Sequence, residues 1–99
     1  MIAELTVLPI GNGPHMTRPV SHVLDLVRRS GLPHQVNAMG TVVEGDEEAV
    51  WMLVRRCHEL AVAECGRVVT EIRIDQSRFR DRALMRIDDY PDDPPLTGV

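Results

Sequence analysis

Two apolar periods alternate along the first 75 residues of this 99-residue chain, in an order that admits few folds. Residues 2–10 alternate with period two, placing Leu5 and Val7 on one face and Glu4, Thr6 and Leu8 on the other. Pro9 and the run Gly11-Asn12-Gly13-Pro14 end that strand in a loop. Thr17 is the expected N-cap of a helix, with Pro19 in its first turn and Val20, Val23, Leu24 and Val27 at helical spacing. Arg28 and Arg29 suit the negative end of that helix, and Gly31 closes it. Residues 35–44 read as two short strands around a Met39-Gly40 turn. That turn sets Ala38 opposite Thr41 and Asn37 opposite Val42. Val36, Ala38, Thr41 and Val43 then share one face, and Asn37, Val42 and Glu44 share the other. Gly45, a capping Asp46 and the acids Glu47 and Glu48 open a second helix, whose stripe is Val50, Leu53, Val54, Cys57, Leu60 and Ala61. Gly66 stops it, and residues 67–75 form a last strand with Val68, Ile72 and Ile74 inward and Glu71, Arg73 and Asp75 outward.

The order strand–helix–strand–strand–helix–strand predicts an α+β, ferredoxin-like βαββαβ sandwich. Its four-stranded antiparallel sheet carries two helices on one face and leaves the other uncovered. The helix ends Ser30-Gly31-Leu32 and Cys65-Gly66-Arg67, 35 residues apart, mark a half-repeat. With Trp51, Phe79 and Tyr90 as the only aromatics, the core must be aliphatic. Residues 1–78 are the expected binding domain. Residues 79–99 read as an acidic, proline-rich tail around Asp88, Asp89, Asp92, Asp93, Pro91, Pro94 and Pro95.

A formal charge of −4 argues against non-specific nucleic-acid binding, which draws its affinity from a basic field. Cys57 and Cys65 lie eight apart in one helix, about 12 Å between Cα atoms, too far for a disulfide there. They read as reduced thiols of a cytoplasmic protein. The apolar start lacks a basic leader and carries Glu4, so no signal peptide is expected, and no run reaches the length of a membrane span. A core this small gains from association between copies.

Chemistry-bearing residues are sparse. The open sheet face, with Glu4, Thr6, Leu8, Asn37, Val42, Glu44, Glu71 and Arg73, reads either as a solvated or subunit-contacting surface or as a cleft for a small polar ligand. In the second case Glu44 would meet a cationic or amide-bearing ligand, and Asn37 would both donate and accept. His15, His22, His34 and His58 form no recognisable metal spacing with one another or with the cysteines, so no metal is expected. Gly11-Asn12-Gly13 is a turn signal, not a phosphate loop. Trp51 and Met52 read as packing beside the helical stripe. No nucleophile stands at a recognisable spacing from a base, and an enzyme is not expected.

Several segments in order carry a resemblance. They are Pro9-Ile10-Gly11, the Thr17 cap, Ser30-Gly31-Leu32, the run Met39-Gly40-Thr41-Val42-Val43-Glu44-Gly45-Asp46, and Val68-Val69-Thr70 followed by Ile72-Arg73-Ile74-Asp75. Over residues 2–75 the chain resembles the small thiamine-binding protein family. The resemblance implies a ferredoxin-like fold, self-association into dimers or tetramers through sheet faces and edges, and no catalysis. It also implies binding of thiamine or its hydroxymethylpyrimidine portion near a subunit interface, with no other cofactor. By position the candidate ligand residues are Thr17, Met39, Gly40, Thr41 and Glu44, which Asn37 joins from the sheet-face reading. Two departures touch the expected pocket: His15-Met16-Thr17 keeps one of two usual hydroxyls, and Pro19 replaces a usual aromatic. An assembling module without a ligand, and an enzyme acting on thiamine-related compounds, are the competing expectations.

Overall fold

The computed structural model describes residues 1–11 and 17–78; residues 12–16 and the expected tail lie outside the described residues. The elements are β1 (Ile2–Pro9), α1 (Thr17–Arg29), β2 (His34–Asn37), β3 (Gly40–Glu44), α2 (Glu47–Cys65) and β4 (Val68–Asp75). The sheet order is β2-β3-β1-β4, with every neighbouring pair antiparallel. This is the α+β ferredoxin-like arrangement expected from the alternating periods.

The core forms where both helices lie on one face of the sheet. Ala3 and Leu5 of β1, Val43 of β3, Val23 and Val27 of α1, and Val50, Leu53, Val54, Cys57 and Ala61 of α2 are buried together. Among the described residues the branched aliphatic side chains fill it without an aromatic, so its stability rests on close fit over many small contacts. Leu60, expected in the stripe of α2, is only half-buried, and Val20 of α1 is exposed. Ile72 and Ile74 point to the helix side as expected but remain 39% and 36% exposed, because they sit on an edge strand that α2 covers thinly.

Helix ends follow the local chemistry with one exception. Gly31 and Gly66 take φ of 75° and 77°, and the Gly66 amide donates to the Val62 carbonyl at 2.8 Å. The Ser30 hydroxyl donates to the Val27 carbonyl at 2.6 Å and accepts from the Leu32 amide at 3.2 Å. Thr17 is the first helical residue of α1, not the residue before it. Asp46 holds the N-cap position of α2, yet its side chain makes no capping hydrogen bond. The Asp46 carbonyl instead accepts from the Val50 amide at 2.9 Å, and Glu47 and Glu48 supply negative charge at the positive end of the helix.

The hairpin turn corrects the sequence reading. Asn37 pairs with Gly40, Val36 with Thr41, Gln35 with Val42 and His34 with Val43, so the turn is Ala38-Met39 and not Met39-Gly40. Gly40 lies inside the strand. A Cβ there would stand 2.8 Å from Thr6 Oγ1 and 3.1 Å from the Leu5 carbonyl oxygen. The glycine is therefore required by close passage of β1, not by turn geometry. Pairing has slipped by two residues, so the expected faces of Val36, Thr41 and Val43, and of Asn37, Val42 and Glu44, are retained. Ala38 leaves the ladder, and Gln35 replaces Asn37 opposite Val42.

Candidate functional site

β1 outruns β3. Its last pair with β3 is Leu5 with Thr41, whereas pairing with β4 continues to Pro9 with Val68. Beyond the hairpin, one side of β1 has no neighbouring strand among the described residues. A notch of about 200 Å³ opens there, walled by Leu5, Val7, Val36 and the α1 side chains Val23 and Leu24. Asn37, Met39, Gly40 and Thr41 line its hairpin end. Four of the six residues expected to bind a ligand thus meet at one opening.

Their surroundings differ in useful ways. The Thr6 hydroxyl donates to the Met39 carbonyl at 2.9 Å and pins the turn to β1. Met39 is 83% exposed, the largest exposure among the large apolar side chains described. Asn37 is also exposed and presents a donor and an acceptor. Thr41, at 6% exposure, is the one polar residue buried among those described, and its hydroxyl has no hydrogen-bond partner among them. An apolar wall, one unengaged hydroxyl and one free carboxamide suit a flat heteroaromatic ring with hydrogen-bonding edges.

Glu44 stands outside this group. Thr17 opens α1, two turns before Val23 and Leu24 at the notch wall. Glu44 ends β3 opposite Ile2, three residues from Thr41, or about 10 Å along an extended strand. Thr41 faces the helices and Glu44 the open face, where Glu44 is already engaged in an interaction within the chain.

The open face carries a second, shallower basin of about 430 Å³ lined by Ile2, Glu4, Gln35, Val42, Arg73, Ile74 and Asp75. Glu4 and Arg73, paired across β1 and β4, approach at 3.9 Å. Sequence reading placed Glu4, Val42 and Arg73 on this face and missed Gln35, whose position depends on the true hairpin register. Leu8 and Val69, direct partners on the same face, are 41% and 42% exposed.

Apart from Cys65, a free and half-buried thiol, the histidines and Cys57 that the structure describes are occupied or shielded. The His22 and Glu64 side chains bond between α1 and α2, His58 Nδ1 contacts Thr70 Oγ1 at 2.7 Å, and His34 Nδ1 contacts the Leu32 carbonyl at 2.9 Å. His15 lies outside the described residues. Among the described residues no three His, Cys, Asp or Glu side chains gather as a metal site. Cys57 is buried, and burial pushes its thiol up to about 11, so it is no nucleophile near neutrality. No helix among the described residues is long and apolar enough to cross a membrane.

Comparison with known proteins agrees with the fold. A family model described as thiamine-binding protein matches residues 3–86. The UPF0045 protein Mb1933 of Mycobacterium bovis is 38% identical over 76 residues, covering 76% of this chain and 74% of the relative. The fold superposes on protein SP2199 of Streptococcus pneumoniae with a TM-score of 0.77 at 20% identity, over 89% of this chain and 92% of that one. It also superposes on TM0486 of Thermotoga maritima, a protein named in connection with thiamine biosynthesis or salvage. There the TM-score is 0.71 at 18% identity, over 77% and 82% of the two chains.

Proposed function

Because the chain belongs to the thiamine-binding protein family, with a thiamine-related role, we propose that it binds thiamine or its hydroxymethylpyrimidine portion in the hairpin notch and releases it unchanged. The observation that carries this reading is the Thr41 hydroxyl, held at the notch with no partner among the described residues. That hydroxyl still reaches solvent at the notch, so it is available to bond a ligand edge in exchange for water, a gain of about 1 kcal/mol for a neutral pair. Asn37 adds a donor and an acceptor, and Met39 offers a flexible apolar surface for a ring face.

The notch accepts a ring, not a whole ligand. Its 200 Å³ falls below the roughly 300–1,000 Å³ of sites that enclose drug-sized molecules. The pyrimidine therefore enters, and the thiazolium portion extends outward toward a second wall. A second copy of the chain supplies that wall in this reading. Leu8 and Val69 on the open face, and the edge of β4, unpaired among the described residues, are the surfaces through which dimers or tetramers form. Glu44, on the same open face, contributes at the assembled interface and not within the notch. Reduced cysteines accord with a cytoplasmic protein.

Titration calorimetry of the full chain with thiamine, its phosphates and hydroxymethylpyrimidine, alongside light scattering, tests the reading. Saturable heat at one site per subunit, with hydroxymethylpyrimidine competing against thiamine, is the expected result. An absence of heat from a folded oligomer would leave a module that only assembles, and turnover of the added compound would make it an enzyme.

A further inference from the structure

On the opposite side of the molecule from the open sheet face, the two helices enclose a groove of about 650 Å³. Leu26, Leu32, Met52 and Leu60 give it an aliphatic floor, and Arg29 and Arg56 stand at it. Their sequence neighbours Arg28 and Arg55 are paired with Asp25 and Glu59. Neither Arg29 nor Arg56 has a carboxylate partner among the described residues. The groove therefore fits a short segment that alternates apolar anchors with negative charge.

This chain contains such a segment. The family match ends at residue 86, and residues 87–99 carry four aspartates and no basic residue. The whole formal charge of −4 resides there, since residues 1–86 balance eleven arginines against eleven carboxylates. We propose that the run Ile87-Asp88-Asp89-Tyr90-Pro91-Asp92-Asp93 docks in the groove of its own chain, with Ile87 and Tyr90 on the aliphatic floor and the aspartates on Arg29 and Arg56.

Reach is sufficient. The Gln76 side chain donates to Glu47 Oε2 at 3.1 Å, which fixes the exit from β4 beside the first turn of α2. Met52 lies five residues further along that helix, about 7.5 Å of rise. The ten residues from Arg78 to Asp88 extend to roughly 33 Å, well beyond the ~10–12 Å needed to cross a helix. Tethering gives the segment an effective concentration on the order of millimolar, so a contact too weak to form between free molecules is populated within one.

Tyr90 is the only tyrosine, which makes the test direct. Nuclear Overhauser contacts are measured between its ring and the methyls of Leu26, Met52 and Leu60 in the full chain. Contacts are expected at low salt. They are expected to vanish in 1 M NaCl, in a full-length variant with Asp88, Asp89, Asp92 and Asp93 changed to Asn, and in R29Q/R56Q, with backbone shifts of the sheet unchanged. Two results overturn the proposal: no contacts, with groove methyl shifts identical in wild type and the four-Asn variant, or contacts that appear only between differently labelled molecules in a mixed sample.

Discussion

Thr6 and Gly40 lie across from each other where β1 passes the hairpin, and the side chain that Gly40 lacks is the space into which Thr6 Oγ1 extends to reach the Met39 carbonyl. That hydrogen bond of 2.9 Å ties the turn to β1 at the mouth of the notch, beside the last strand pair. Local geometry at the candidate site is thus set by a residue 33 positions away.

Gly40→Ala should loosen this corner. The added Cβ would meet Thr6 Oγ1 at 2.8 Å and the Leu5 carbonyl oxygen at 3.1 Å, and backbone cannot yield as a side-chain tip does. A loss of about 1–3 kcal/mol in urea-unfolding stability is expected. Thr6→Ala alone should cost about 1 kcal/mol, and the double variant less than the sum, because one of the two clashes is then relieved. Strict additivity would show that the two residues do not share the corner.

Thr41→Val keeps shape and removes the hydroxyl. Since that hydroxyl has no partner among the described residues, unfolding stability should hold or rise slightly. Affinity for hydroxymethylpyrimidine should fall about three- to tenfold, the worth of one neutral hydrogen bond. Glu44→Gln, placed about 10 Å away on the other face, should change that affinity less. Equal losses in both variants, by calorimetry, would put the ligand on the open face instead.

The Cys57 thiol gives stability a high-pH limit. Its pKa in the folded chain is about 11, against 9.0 for an exposed thiol, so the folded state holds the proton longer than the unfolded one. The favourable difference is complete below pH 9 and is lost as pH rises through 11. Urea midpoints between pH 8 and 11 should decline, and Cys57→Ala should flatten the decline at the cost of a small cavity. An unchanged slope in the variant would assign the decline to other groups.

Leu8→Glu and Val69→Glu, on facing positions of the open sheet face, should shift sedimentation toward monomer while leaving far-ultraviolet circular dichroism intact. A charge brought into a packed interface costs far more than one left in water. If sedimentation is unaffected by either substitution, the open face is not where copies meet.

The strands and helices were legible because their apolar periods are local. Ala3, Leu5, Val43 and Val27 are buried as alternation and helical spacing require. The turn was misplaced by one residue because a glycine beside Met39 reads as a turn when seen alone, whereas its cause is Thr6. Even so, the two-residue slip preserved each face, which is why Thr41 was assigned inward correctly and Gln35 was missed. Most of the expected ligand residues fall in one continuous run, residues 39–46, but an extended strand spreads such a run over both faces and many ångströms. Thr41 and Glu44 therefore part company in space while remaining neighbours in sequence.

The notch exists because β1 is longer than the hairpin beside it, so its depth is a matter of strand length and not of core composition. Two residues added at Ala38-Met39 would extend the ladder along β1 and close the opening; two removed would deepen it. Either change leaves every inward side chain inward, because the side-chain period is two. A single-residue change would turn Val36 or Thr41 to the wrong side. Chains built on this plan can vary what they hold in even steps of hairpin length, while the helices and their aliphatic core stay as they are.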